Sequence, residues 1–328
     1  MPPFLVAVAD SVFPSLDPAR EVLSAIGAEV QLAAQATPEG ILQVASGADG
    51  LLVTYAVITA DMIGAMKRCR IISRFGIGVD NVDLAAATSA GIVVTKVPDY
   101  CLDEVSDHAV ALLLAVVRKI PLSNAQVHAG QWQMKAVVPI HRLRGTVLGL
   151  VGFGRIPQLV APKAQSFGVR VLAFDPFVPD EAFARAGVER VDFADLLKRS
   201  DYVSIHTPLM PETRGLFNDE VFRQMKRGAY LVNTARGPIV EEMALARALD
   251  EGQLAGAALD VMPHEPPVGS PLLGRDNVII TPHTSFYSEE SLLELQRKAA
   301  QEVVAVLSGR TPRNPVNPDV LPTLHLQP

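Results

Sequence analysis

Short apolar runs alternate along the chain with stretches in which apolar residues recur every third or fourth position. Up to residue 100, segments 4–9, 29–32, 50–54, 71–74 and 92–97 have the length and content of buried strands, and amphipathic stretches centred near Val22, Val44, Ile63 and Ala86 separate them. That alternation predicts a parallel sheet with helices on both faces, with its ligand crevice at the carboxyl ends of the strands. A long helix is expected from Asp103 as N-cap through Val105, Ala109, Leu112, Leu113 and Val116, crossing into a second domain. Segment 130–144 carries neither period and reads as an irregular arm, whose one tryptophan, Trp132, suits packing or a subunit contact. Beyond Asp175 the alternation resumes, with helices expected at 193–199, 217–225 and 243–250 and strands at 202–205, 229–233, 255–260 and 277–280. A helix at 292–307 and an extended, proline-rich tail at 312–328 close the chain.

One stretch, TVLGLVGFGRIPQLVAPKAQSFGVRVLAFDP at 146–176, reads as strand, tight turn, helix and second strand. Gly152 permits the sharp turn, Gly154 lets backbone approach a pyrophosphate, and the N–H groups of a helix opening at Arg155 and Ile156 attract its charge. Asp175 ends the second strand, close to the roughly 20-residue offset at which an acid holds the ribose hydroxyls of NAD and repels the 2′-phosphate of NADP. NAD is the expected cofactor. Pro157 stands where the third glycine of the fingerprint belongs, in the first helical turn, where its missing N–H had no intrahelical partner. Pro162, further along, is expected to bend the helix.

The remaining candidates follow strands. His206, with Thr207 and Pro208, is expected beside the cofactor, as are Thr234 and Ala235. Arg236 can grip a carboxylate bidentately. Glu265 lies in a proline-rich loop after Asp260, and His283 follows 18 residues later. A carboxylate that fixes a histidine selects one tautomer and favours the protonated ring, which suits an acid near neutral pH. In the earlier sheet the loop Arg74-Phe75-Gly76-Ile77-Gly78 has two readings: accessible N–H groups and a positive charge for an anion, or a turn before a helix at Val82. Cys101 reads either as a reactive thiol or as a small packed side chain.

Composition narrows the field. The 328 residues suggest two domains, and a formal charge of -6 without basic runs or stripes argues against nucleic acid. Two cysteines, Cys69 and Cys101, form neither a metal-ligand spacing nor a disulfide framework, which fits a reducing cytoplasm; no metal is expected. The apolar 1–9 stretch lacks a basic leader and reads as a first strand, and no apolar run approaches the ~18 residues of a membrane span.

Together RFGIGVDNVD (74–83), segment 151–176, HTPLMPETRGLFN (206–218), VNTARGPIV (232–240), LDVMPHEPP (259–267) and TPH (281–283) resemble the D-isomer-specific 2-hydroxyacid dehydrogenases across nearly the whole chain. The resemblance implies two doubly wound parallel α/β domains, a Rossmann NAD-binding domain at 101–286 inserted into a flavodoxin-like substrate domain built from 1–100 and 287–328. It implies that Arg236 binds the substrate, that Glu265 pairs with the imidazole of His283 and that His283 is the acid/base. It further implies that N–H groups at Ile77 and Gly78 hold the carboxylate and that Asp260 meets the nicotinamide amide. Family members are commonly dimers, so a homodimer is expected. For the substrate, Arg74 is similar to the phosphoglycerate dehydrogenases and would suit a phosphate, whereas Phe286 in Thr284-Ser285-Phe286-Tyr287 resembles the aromatic of D-lactate dehydrogenases. No regulatory domain is expected beyond residue 313. The rival reading is an NAD(H)-sensing binding module, since 287–290 also resembles the C-terminal-binding-protein corepressors.

Overall fold

The computed structural model describes residues 3–327, and the chain divides into two compact units, one running to Tyr100 and resuming at Ser288, the other Cys101–Tyr287. Met1 and Pro2 of the apolar start and Pro328 of the tail lie outside the described residues.

The first unit is built on five parallel strands, β1 (Phe4–Val8), β2 (Ala28–Leu32), β3 (Gly50–Val53), β4 (Ile71–Arg74) and β5 (Val93–Thr95), in the order β2-β1-β3-β4-β5. The three strands β3 to β5 are buried along their whole length, as expected of a parallel sheet covered on both faces. Short helices between strands start where a side chain satisfies an orphan N–H: Thr37 accepts from Gly40, Thr59 from Met62 and Asp83 from Ala86. Asp83 thus caps the helix after the glycine loop, which starts at Leu84, two residues beyond the expected Val82. The returning helix, Glu289–Leu307, begins with a Ser288/Ser291 capping box. It buries Leu292, Leu295, Ala299, Ala300, Val303, Val306 and Leu307 as one stripe. The Ser73 hydroxyl on β4 donates to the Ala299 carbonyl at 3.0 Å.

The tail departs from the extended run expected of it. Val316 N donates to the Val94 carbonyl, and the buried Asn317 accepts from Val94 N at 2.7 Å while donating to the Ile92 carbonyl and Thr88 Oγ1. Pro318–Leu324 then forms a 3-10 helix. One amide satisfying three partners at the edge of β5 outweighs the local preference of the prolines for an extended chain.

The second unit carries seven parallel strands, β6 (Val147–Val151), β7 (Arg170–Phe174), β8 (Glu189–Arg190), β9 (Tyr202–Ile205), β10 (Ala229–Asn233), β11 (Leu254–Leu259) and β12 (Val278–Ile280). Their order is β12-β11-β10-β9-β6-β7-β8. One side buries Leu196, Val203, Phe217, Phe222, Leu245 and Leu249, the other Leu112, Leu113, Leu148, Leu150, Phe153 and Val160.

Several boundaries differ from expectation. The long helix is Leu102–Val117 with Cys101 at its N-cap and no side-chain cap. Asp103 lies instead within the first turn, where its negative charge complements the positive end of the helix dipole. Cys101 is buried, which favours the packed reading of that residue. A helix, Ile120–His128, precedes the arm, which holds a 3-10 turn, Met134–Val137, and Trp132 is 87% exposed, so it does not pack within the chain. Phe217 precedes its helix, Asp219–Gln224, because Asn218 caps it by accepting from Glu220 N and Val221 N. The helix Arg155–Ser166 runs through Pro162, and its buried residues Pro157, Val160, Ala161 and Ala164 follow helical spacing. Pro157 is therefore the first member of the apolar stripe, a packing role the third glycine could not fill.

Candidate active site

In the second unit β6, β9, β10, β11 and β12 are consecutive neighbours in one parallel sheet. Residues directly beyond their carboxyl ends therefore stand in a row: Gly152, His206, Thr234 to Arg236, Asp260 and His283. The order reverses between β6 and β9, the switch point at which such sheets open a crevice.

Gly152 lies at that point with φ 91°, and a Cβ on it would come within 2.9 Å of the His206 carbonyl and Thr207 N. Only glycine fits. Next to Gly154 the space is open, and the helix it introduces, with Arg155 and Ile156 as its first residues, has no side-chain cap. Asp175 accepts from Phe153 N at 2.8 Å through one oxygen and from Phe177 N and Val178 N through the other. Its carboxylate thus shapes the glycine loop and keeps lone pairs for ribose hydroxyls. Beyond β10 the buried Thr234 hydroxyl has no partner among the described residues. A tight glycine turn, an uncapped helix start, an acid at the second strand end and an orphaned hydroxyl in the same row fit a dinucleotide.

His206 bonds the Ser204 hydroxyl through Nε2 at 2.8 Å. Burial pushes its imidazole down to about 4, so the ring is neutral at physiological pH. Thr207 and Pro208 continue the loop behind Gly152.

Arg236 is held by its own turn. Asn233 Nδ2 donates to the Arg236 carbonyl, Ala235 N donates to Asn233 Oδ1, and Arg236 Nη1 donates to the Ala235 carbonyl at 2.8 Å. Asn233 is 1% exposed, and sequence reasoning passed over it although it directly precedes the Thr-Ala-Arg run.

Glu265 Oε2 meets His283 Nδ1 at 2.8 Å, while Glu265 Oε1 accepts from Met262 N at 2.9 Å. Partial burial pushes the Glu265 carboxyl up, but the hydrogen bond and charge of His283, the Met262 N–H and the Arg236 charge together hold it below its usual range. The acid of the pair is therefore a carboxylate bound at Nδ1, and Nε2 faces away from it. Phe286 presents an edge to the ring of His283, at 6.2 Å between centroids.

Asp260 works as a clamp. It is 1% exposed, with Oδ1 accepting from the Thr281 hydroxyl at 2.6 Å and Thr284 N at 2.9 Å and Oδ2 from Ser285 N at 2.9 Å. Its carbonyl accepts from His283 N at 2.8 Å. His108, on the long helix, reaches Thr281 Oγ1 at 3.0 Å. Neither His108 nor Thr281 was expected at the site; they are 173 residues apart in sequence.

In the first unit Arg74 is buried and its Nη1 donates to the Phe75 carbonyl at 2.8 Å, lying over Gly76. Ile77 and Gly78 are half-buried just beyond. Burial pushes the thiol of Cys69 up to about 12. Among the described residues no group of three His, Cys, Asp or Glu could hold a metal ion, and no helix is long and apolar enough to cross a membrane.

Residues 110–285 match the family described as D-isomer specific 2-hydroxyacid dehydrogenase, NAD binding domain. The chain is 39% identical over 311 residues to a D-3-phosphoglycerate dehydrogenase of Methanocaldococcus jannaschii, covering 94% of this chain and 59% of that protein. Among solved structures, a glyoxylate reductase from Paecilomyes thermophila superposes with TM-score 0.88 at 26% identity, covering 96% of this chain and 99% of that one. A D-lactate dehydrogenase from Aquifex aeolicus, complexed with NAD and lactic acid, superposes with TM-score 0.83 at 28% identity, covering 93% and 96%.

Proposed function

The chain belongs to the D-isomer-specific 2-hydroxyacid dehydrogenase family, and from that premise we propose that it interconverts a D-2-hydroxy acid and its 2-oxo acid with NAD, using His283 as acid/base. The observation that carries this reading is the Glu265–His283 pair, at 2.8 Å, beyond β12 of a domain whose glycine turn fits a dinucleotide. The relatives named above are a phosphoglycerate dehydrogenase, a glyoxylate reductase and a D-lactate dehydrogenase, and their shared chemistry is a hydroxyl or carbonyl at C2 of a carboxylic acid.

When bound, the nicotinamide supplies or accepts the hydride at C2. The chain's residues do the rest. Gly152, Gly154 and the first turn at Arg155 and Ile156 hold the pyrophosphate, Asp175 the ribose, and Thr234 and the Asp260 segment the nicotinamide end. In reduction, protonated His283 gives its Nε2 proton to the developing alkoxide, and in oxidation the neutral ring removes it. Glu265 stays ionised throughout, fixing Nδ1–H and stabilising the imidazolium. Arg236 stabilises the charge that develops on oxygen, and the N–H groups of Ile77 and Gly78 receive the carboxylate.

His283→Ala is expected to lower kcat by about 10²–10⁴-fold, the usual contribution of a positioned acid or base, while leaving NADH affinity within about threefold. Unchanged turnover removes His283 from the mechanism. The chain is also proposed to pair with a second copy through the arm, where Trp132, Met134 and Val138 are exposed at 87%, 78% and 55%.

A further inference from the structure

We propose that His108 is a positioning residue for the acid/base, bracing the turn that carries His283 through the Thr281 hydroxyl and Asp260; the proposal rests on the dehydrogenase reading above. All four residues belong to the unit Cys101–Tyr287. On the helix Leu102–Val117, Val105 and Leu112 are buried, and position 108 falls between them at spacings of three and four, on the same face. An apolar side chain is expected at such a place. The chain has a histidine there, and what it meets beyond β11 and β12 is polar. His108 Nε2 lies 3.0 Å from Thr281 Oγ1 and 3.6 Å from Asp260 Oδ1.

The direction of these hydrogen bonds follows from the protons available. Thr281 Oγ1 lies 2.6 Å from Asp260 Oδ1. The same Oδ1 accepts from Thr284 N, and Oδ2 accepts from Ser285 N. The carboxylate is thus an acceptor throughout, and the one hydroxyl proton of Thr281 goes to it. Towards His108 the Thr281 oxygen has only lone pairs left, so Nε2 of His108 must carry a proton. The imidazole donates, the hydroxyl relays and the carboxylate receives, each bond polarising the next.

Thr281 and Asp260 are also the residues whose carbonyls accept from His283 N, at 2.9 and 2.8 Å. That N–H fastens the left-handed backbone of His283, at φ 54°. His108 therefore braces both residues that hold the His283 backbone, while Glu265 fixes the ring at Nδ1. Without the Nε2–H of His108 the Thr281 hydroxyl loses its donor, the strand end beyond β12 gains freedom, and the acid/base is aimed less accurately at the reacting oxygen. A small misplacement of that kind lowers turnover without loosening a pyrophosphate held at Gly152 and Gly154.

His108→Leu is expected to lower kcat about tenfold, with the NADH dissociation constant within about threefold of native. His108→Gln offers an amide N–H at similar reach and is expected to keep kcat within about threefold. Thr281→Val should cost as much as His108→Leu, and Thr281→Ser little, which keeps the test open if His108→Leu does not fold. The double variant His108→Leu/Thr281→Val should lose no more than about threefold beyond either single one, because both break one chain of bonds. Equal losses in His108→Leu and His108→Gln, or independent losses in the double variant, would mean that the ring only fills space and overturn the proposal. Native kcat in His108→Leu does the same. Histidine 15N NMR at neutral pH reads the tautomer without turnover. Nε2 of His108, assigned by its loss in His108→Gln, is expected to carry a proton, and an unprotonated Nε2 overturns the proposal. Turnover of no 2-oxo acid by the native chain, with NADH still bound, overturns the dehydrogenase reading first and this proposal with it.

Discussion

At His283 the backbone adopts φ 54°, a left-handed conformation that costs most residues energy. It persists because His283 N is bonded to the Asp260 carbonyl and Nδ1 to Glu265. Glu265→Gln keeps a side chain of the same size but removes the charge that stabilises the imidazolium. Turnover should fall by at least about tenfold with NADH affinity unaltered, and steady-state kinetics beside a binding titration checks it. His206 gives a prediction of opposite character. Its folded value, about 4, lies below the ordinary 6.5, so the unfolded chain takes up the proton first as pH falls. Native stability is therefore unaffected by this group above pH 6.5 and is lost progressively from there to pH 4, with a slope of at most about 1.4 kcal/mol per unit. Denaturant midpoints for the native chain and His206→Gln should diverge across that window; parallel curves would contradict the assignment. The pairing of Glu265 with His283 was legible in sequence because each sits in a short motif beside a strand. His108, Asn233 and Asp10 were not, because what they do depends on partners brought close by the fold, such as Thr54 at 44 residues from Asp10.

The elements carry the site by where they end. Strand positions could be read from apolar runs because a parallel sheet buries both faces, whereas helix starts could not, since caps such as Asp83 and Asn218 are chosen by geometry within a loop. The tail was misjudged for a related reason: prolines signal an extended chain, but three hydrogen bonds from Asn317 tie it to the first unit. Two substitutions test this level. Asp260→Ala leaves the donors of Thr281, Thr284 and Ser285 without their acceptor. Several kcal/mol of stability should be lost, at about 1–3 kcal/mol per abandoned buried donor, and activity should fall with it. Pro157→Gly removes a buried side chain from the helix stripe and loosens the unfolded chain. It should cost about 1–2 kcal/mol, read from thermal or chemical unfolding, while NADH affinity stays within about twofold. A large rise in affinity would mean that the proline impairs the cofactor turn.

Considered whole, the chain spans 59% of the phosphoglycerate dehydrogenase it matches, and its two parallel sheets have orders, β2-β1-β3-β4-β5 and β12-β11-β10-β9-β6-β7-β8, that each contain one reversal. At one reversal Gly152 makes a tight turn that only glycine fits, and at the other Asp10 accepts from Thr54 N and Tyr55 N. The exposed arm is the other feature at this scale. Trp132 is the only tryptophan, so its fluorescence should shift to the red on dilution if the arm joins two copies, and Trp132→Ser should weaken association in sedimentation without lowering turnover per active site. The most direct measurement of the central claim is NADH consumption by the native chain with glyoxylate, hydroxypyruvate and pyruvate, followed by the configuration of the chiral products. The account predicts turnover and a D-2-hydroxy acid. Tight NADH binding with no turnover of any of them, or formation of the L product, would contradict it.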